Sequence, residues 1–495
     1  MARSIYKNSI VYVLLGFLAP SVNFFLLPVY SKILLPAEFG IITLASLLQM
    51  ALANLVGLGL NAAFVRLYFD EDKSRNGVRV LFTNAFILQI ISGLLVHGLL
   101  ILVGDGALRV ILANDKFTYS TFGIYIGITS IAINLHALVL SWDRNFEKII
   151  PYSFWAILFF LLPAAGMFIG IVNFKMGALG NVEGRMWGSL VPLFLFCVIN
   201  FKRFVVNKTT YSLGRKMLSY GLPLVPYLLL ALIYTNIDKV LLERFTLGSS
   251  RHNEEYALKM LGLYGFAFLI ASVVEIFINA LQSATYPSLF RELIKENRNS
   301  SAISEIYSLF ILTNLTIVTF IASFGGVLIS VFINNNYRAV VAYLPLLCIM
   351  AIPRIFGIIF MNTLSFYKKS KAMPLASALS VVSICFFGYL LIPLYQVTGL
   401  IIAVILSQTC QMFMFIYLNH FFKVTTKEST YLTKEKSMAL QIAVAIIIST
   451  VLYNLVSPNP AWYILIFVVY LVNIFLSFRH LLHRAHKLIF KQAVI

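Results

Sequence analysis

The stretch PVYSKILLPAEFGIITLASLLQMALANLVGLGLNAAFVRLYFDED, Pro28 to Asp72, decides the fold. A short amphipathic turn from Ser31 to Glu38 ends in Phe39-Gly40. The apolar run that follows has about the ~20 residues that one helical bilayer crossing needs. It breaks at Gly57-x-Gly59, then meets Arg66 and the acids Asp70-Glu71-Asp72. The arrangement recurs. Tyr264-Gly265 opens a second apolar run, and Leu289-Phe290-Arg291-Glu292 closes it. In both copies an Arg stands 26 residues after the Gly, with Phe64 two residues or Phe290 one residue ahead of it. A duplicated half predicts two pseudo-symmetric lobes around a central cavity, a plan common among transporters.

Bulk composition agrees. Of 495 residues, 60% are hydrophobic and 12% charged. A soluble domain carries about 25% charge, so 12% leaves too little polar surface for a globule in water. The net charge of +19 does not point to nucleic acid, because Lys and Arg sit in short loops between apolar runs and not on one basic face. Cys197, Cys348, Cys385 and Cys410 lie inside apolar runs without metal-ligand spacing, so neither a metal site nor a disulfide framework is expected. The first apolar run lacks a small-x-small cleavage site and carries Pro20 and Pro28, so it is expected to be a retained helix.

Fourteen runs can span a bilayer: 9–30, 39–62, 80–103, 118–140, 151–173, 184–201, 218–242, 260–282, 307–331, 339–365, 373–394, 397–419, 438–456 and 461–478. Loops on one side hold 27 of the 38 Lys and Arg residues and loops on the other hold 9. The positive-inside rule then puts both termini in the cytoplasm. That needs an even number of spans, which twelve would satisfy as well as fourteen. The expected organisation is all-α: helices 1–6 (1–203), a cytoplasmic linker (204–217), helices 7–12 (218–422), an appended pair (437–480) and a basic cytoplasmic tail (481–495).

On these residues the chain resembles the Wzx-type polysaccharide flippases of the multidrug/oligosaccharidyl-lipid/polysaccharide (MOP) exporter superfamily. The resemblance rests on Leu35-Pro36-Ala37-Glu38-Phe39-Gly40, Gly57-Leu58-Gly59-Leu60 and Arg66 in the first half. In the second half it rests on Gly221-Leu222-Pro223-Leu224-Val225-Pro226, Asn236-Ile237-Asp238-Lys239 and Gly262-Leu263-Tyr264-Gly265. It covers roughly residues 5–420. It implies a MATE-like fold of two six-helix lobes in a bacterial inner membrane, working by alternating access. The implied substrate is an undecaprenyl-pyrophosphate-linked oligosaccharide, moved from the cytoplasmic to the outer leaflet for O-antigen, capsule or exopolysaccharide assembly. Implied partners are membrane lipid, H⁺ or Na⁺ as a coupling ion, and a polysaccharide polymerase with its chain-length regulator. No cofactor and no covalent chemistry are implied. The physical task is clear: a sugar-pyrophosphate head group cannot cross hydrocarbon unaided, because each unpaired polar group there costs several kcal/mol.

Six residues are candidates for that task. Arg66 and Arg291 end matched helices, where a guanidinium fork suits phosphate oxygens; simple positive-inside anchoring is the alternative. Arg354 lies mid-span after Pro353, as an anion ligand or as the partner of Glu275. Glu275 either pairs with Arg354 or carries a coupling ion. Asp238 and Lys239 either gate the cavity, Lys239 adding to its positive charge, or hold a salt bridge between lobes, or anchor the helix at the interface. As helix neighbours they are expected to point apart and not to pair. His97 and His136 read as hydrogen-bonded helix contacts, Asp70-x-Asp72 as a solvated charge cluster, and Gly180-x₃-Gly184-x₃-Gly188 as a close-packing face. No P-loop is found, so ATP-driven transport would need a separate subunit. The alternatives are another cargo on the same fold (a peptidoglycan lipid precursor, or a drug in exchange for an ion) and a polysaccharide polymerase.

Overall fold

A computed structural model of the chain describes residues 24, 26–70, 75–204, 211–248, 253–294, 300–422, 444, 448 and 464–475. Most of the expected first span, the span 438–456 and the tail 481–495 lie outside the described residues. So do the ends of 461–478, residues 205–210 of the expected linker and the side chains of the acidic tripeptide.

Twelve main helices follow one another among the described residues. They are α1 (Pro36–Gly57), α2 (Leu60–Asp70), α3 (Arg75–Ile111), α4 (Ile124–Asn145), α5 (Ile149–Phe168) and α6 (Gly177–Ile199). Then come α7 (Tyr211–Gly221), α8 (Leu224–Gly248), α9 (Glu254–Ile294), α10 (Ser300–Phe332), α11 (Val340–Phe366) and α12 (Met373–Phe421). Ten helical stretches are long and apolar enough to cross a membrane. The last, α12, has 49 residues. At 1.5 Å per residue that is about 74 Å, more than twice a ~30 Å hydrocarbon core. It is two spans. Gln396 interrupts it at φ 52°, ψ −123°, and the arms fold back on each other. Ser380 Oγ and Ser407 Oγ are hydrogen-bonded at 2.6 Å, and Gln411 Nε2 donates to Ser377 Oγ at 3.5 Å. Each of the expected spans from 39–62 to 397–419 is thus occupied by a described helix.

Local sequence explains the boundaries. α1 opens with Pro36, where a missing N–H costs nothing, and Glu38 Oε2 accepts from the Leu35 N–H at 2.9 Å. It stops at Gly57 because Leu58 and Gly59 take positive φ (46° and 67°). This is the break expected at Gly57-x-Gly59. One boundary departs from expectation. α7 fills much of the expected linker, with Gly214, Met217 and Gly221 buried, so this basic segment is a helix with a packed side and not an open loop.

The chain divides into two compact units, Met1–Gly262 and Leu263–Ile495, and the division falls within α9. The first unit has an aromatic core around Phe64, Phe82, Trp142, Trp155 and Phe196. In it α5 and α6 form an antiparallel hairpin at backbone contact. A Cβ on Gly180, Gly184 or Gly188 would meet the carbonyl of Gly170, Gly166 or Leu162 respectively. The glycine face read from the sequence is this seam. The second unit has a smaller core of Phe360, Leu364, Ala376, Phe415 and Leu418, and the helical residues 464–475 pack on α10 through Phe467 against Phe320 and Phe324.

Apolar lipid gives helices no hydrophobic reason to associate, so the α5–α6 seam depends on close approach. Gly184→Val is expected to cost at least about 1–3 kcal/mol from overpacking and to lower the melting temperature in detergent. Gly98→Val, where a Cβ meets open space, is expected to melt like the wild type; equal melting of both variants contradicts the seam.

Candidate functional site: charged groups inside the spans

Charged side chains within apolar helices are costly and need partners or water. In the second unit, Arg354 sits on α11 next to Pro353, which removes one helix hydrogen bond. Its Nη1 donates to Glu275 Oε1 on α9 at 2.6 Å, and the two side chains keep 32% and 30% of their surface exposed. Of the alternatives open from sequence, pairing is the one realised. The exposure means that the pair is not sealed in a core. Two turns along both helices, Gln282 Nε2 donates to Asn362 Oδ1 at 3.3 Å. Further on, the Phe290 and Phe366 rings meet edge to face at 5.3 Å. Numbers rise together on both sides, so α9 and α11 run parallel and share a stripe of polar and then aromatic contacts. Arg291 is exposed at the far end of that stripe, 16 residues from Glu275 and about 24 Å along the helix. Arg291 and Arg354 are therefore separate positive points and not one cluster.

In the first unit, Asp238 and Lys239 are both buried, on α8. They do pair, contrary to the sequence-based expectation. Lys239 Nζ lies 3.5 Å from Asp238 Oδ1 and donates to Asn236 Oδ1 at 3.1 Å. Adjacent Cβ atoms diverge by about 100° on a helix, but the four-carbon stem of a buried Lys folds back because no water competes for its head. Asn236 also lines an apolar cavity of about 380 Å³ together with Leu44 and Leu48 of α1, Leu108 of α3 and Phe117 just after α3. Arg66 is exposed on α2.

Three ionised contacts escaped the sequence reading. Glu243 was assigned to a polar loop, yet it is fully buried at the end of α8. Its carboxylate accepts from the Ala113 N–H at 3.1 Å and from Asn114 Nδ2 at 2.7 Å. Beside it, Arg244 Nη1 donates to the Val110 carbonyl at 2.6 Å. Arg203, counted among linker charges, pairs with fully buried Asp143 at 3.1 Å. The Arg203 guanidinium also lies over the Trp142 and Phe196 rings, at 5.6 and 5.3 Å. Burial pulls the Arg203 guanidinium below the ordinary arginine value, and the Asp143 carboxylate opposes that shift. Arg185, at the start of the expected span 184–201, lies inside α6 near Tyr30. The histidines behave as expected: His97 Nδ1 bonds Tyr119 Oη at 2.6 Å, and His136 Nε2 bonds the Ser189 carbonyl at 2.9 Å while stacking on Phe159. All four Cys are unpaired.

Residues 5–293 match a family described as polysaccharide biosynthesis protein. The chain belongs to this family. Its fold is similar to that of the lipid II flippase MurJ in an inward closed conformation, at 14% identity and a TM-score of 0.68, over 96% of this chain and 100% of that one. It is also similar to an inward-facing multidrug resistance MATE transporter of the MOP superfamily (13% identity, TM-score 0.58, 86% of this chain and 99% of that one). A third likeness is to a MOP superfamily transporter from Pyrococcus furiosus whose binding pocket is described as having reverse polarity (13% identity, TM-score 0.51, 85% and 95%). No curated protein matches the chain. The fold of this polysaccharide biosynthesis family member is therefore the all-helical MOP exporter fold.

The two ion pairs differ in burial, and this predicts a rank order. Asp143→Asn leaves Arg203 partly buried without its carboxylate and is expected to cost about 3–5 kcal/mol. Glu275→Gln strips a partner from a part-exposed Arg354 and is expected to cost about 0–1 kcal/mol. Thermal melts of the two purified variants check the order; Glu275→Gln melting lower than Asp143→Asn contradicts it.

Proposed function

We propose that the chain is a flippase. It carries an undecaprenyl-pyrophosphate-linked oligosaccharide from the cytoplasmic to the outer leaflet of a bacterial inner membrane by alternating access, and it catalyses no covalent reaction. The observation that carries this reading is the set of ionised groups at span depth, Arg354 with Glu275 and Lys239 with Asp238, inside a MOP fold of the polysaccharide biosynthesis family. A drug carrier for cations would be served by acids without cationic neighbours; here each intramembrane acid of the two pairs has one. The lobes are residues 1–203 and 218–422, joined by the segment 204–217, with helices 13–14 appended (437–480) and both termini cytoplasmic.

Arg66 and Arg291, exposed at helix ends, attract the pyrophosphate at the cytoplasmic mouth. Arg354 and Lys239 present positive charge deeper in. Glu275 and Asp238 keep that charge balanced in the empty protein and take a coupling H⁺ or Na⁺, or release their cations, when the anion arrives. A polymerase and chain-length regulator act on the product. The likeness to a lipid II flippase supports a second reading on the same mechanism, in which the cargo is a peptidoglycan lipid precursor.

Deletion of the gene distinguishes these. The flippase reading expects a complete repeat unit on undecaprenyl pyrophosphate to accumulate on the cytoplasmic leaflet, with surface polysaccharide lost. Accumulated peptidoglycan precursor favours the second cargo. Single repeat units that reach the outer leaflet but are not lengthened would make the protein a polymerase.

A further inference from the structure

Residues 26–33 are helical, and the chain turns at 34–35 before entering α1. Glu38, just past that turn, brings its Oε1 against Gly177 at the start of α6. The helix 26–33 and the first turns of α6 are therefore neighbours in the first unit. Tyr30 lies on the former and Arg185 on the latter, eight residues or about 12 Å into α6.

Both side chains lack what such groups need. The Tyr30 side chain is almost wholly enclosed, at 6% exposure, and its hydroxyl has no hydrogen-bond partner. The Arg185 side chain is half-buried. Among the described residues no carboxylate pairs with it, and its electrostatic neighbour is the Tyr30 phenol. Arg354 and Lys239 each have an acid beside them; Arg185 does not. A cation and a hydroxyl left together at span depth form a set of donors without an anionic acceptor. The adjacent Gly184 is pressed onto α5, so the Arg185 side chain, about 100° round the helix, projects away from that seam.

We propose that Tyr30 and Arg185 form an anion-binding site that takes the oxygens of a diphosphate. The guanidinium fork donates to two oxygens and the phenol to a third. The site deepens the flippase reading and rests on it: the anion is either the head group of the lipid-linked substrate or a free diphosphate of the same chemistry.

The test uses the full chain in nanodiscs of neutral lipid, as wild type, Tyr30→Phe, Arg185→Lys and Arg185→Gln. Three ligands are titrated: undecaprenyl diphosphate, undecaprenol and inorganic diphosphate. Affinity for undecaprenyl diphosphate is expected to fall about threefold to tenfold in Tyr30→Phe and at least tenfold in Arg185→Gln, with Arg185→Lys between them and undecaprenol binding unchanged throughout. Without ligand, Tyr30→Phe is expected to melt no lower than the wild type, because the hydroxyl it removes has no partner to lose. A merely structural tyrosine would give the opposite pair of results, and this variant decides the matter even if Arg185→Gln fails to fold. Parallel loss of inorganic diphosphate binding supports the site and means that the free anion suffices; loss confined to the lipid supports it and assigns the site to the head group. Unchanged affinity of Tyr30→Phe and the Arg185 variants for a diphosphate lipid that the wild type binds overturns the site alone. A wild type that binds undecaprenyl diphosphate no better than undecaprenol overturns the site and the lipid-linked reading together.

Discussion

Hydrocarbon offers no hydrogen bonds, and the rest of the structure follows from that. Backbone groups must be satisfied within each segment, which leaves helices as the way for this chain to cross. Side-chain polar groups must find one another. Glu275 meets Arg354, Gln282 meets Asn362, Ser380 meets Ser407, and Glu243 accepts from Ala113 and Asn114 just past the end of α3. Where no polar contact is made, helices hold by close approach, as at the glycine seam of α5 and α6. The same constraint defines the transport problem, since a diphosphate sugar faces the hydrocarbon with more unpaired polar groups than any helix does.

That shared origin explains why the fold was legible in the sequence to a large extent. Hydropathy and the rule of ~20 residues per crossing depend on the solvent and not on fine packing. They located spans two to twelve, including the division of α12 near Gln396, although that helix is continuous in all but one residue. The break at Gly57-x-Gly59 was legible because positive φ leaves a glycine signature. The Gly180, Gly184 and Gly188 spacing was legible because small residues four apart share a helix face.

The charged contacts were less legible, and for a common reason. A charge near the end of an apolar run reads as a solvated anchor unless its partner is known. Asp143, Glu243 and Arg203 all looked like loop residues, yet each is wholly or largely buried against a partner 60 to 130 positions away. Asp238 and Lys239 were misjudged on helix geometry alone, which fixes Cβ directions but not where a long flexible stem ends. Glu275 and Arg354 could be matched, because a charge in mid-span has few places to go.

The part-exposed pair of Arg354 and Glu275 gives the proposed flippase a way to exchange partners. On that reading the carboxylate that balances Arg354 is displaced, or protonated, when a diphosphate binds, so substrate and coupling ion would act on the same few groups. The most direct measurement is translocation in proteoliposomes holding the purified full chain and an undecaprenyl-diphosphate oligosaccharide whose sugar is labelled. The account predicts protein-dependent movement of the labelled head group between leaflets, slowed at least tenfold by Arg354→Gln. No movement above protein-free vesicles under either an H⁺ or a Na⁺ gradient, with the protein folded, would contradict it.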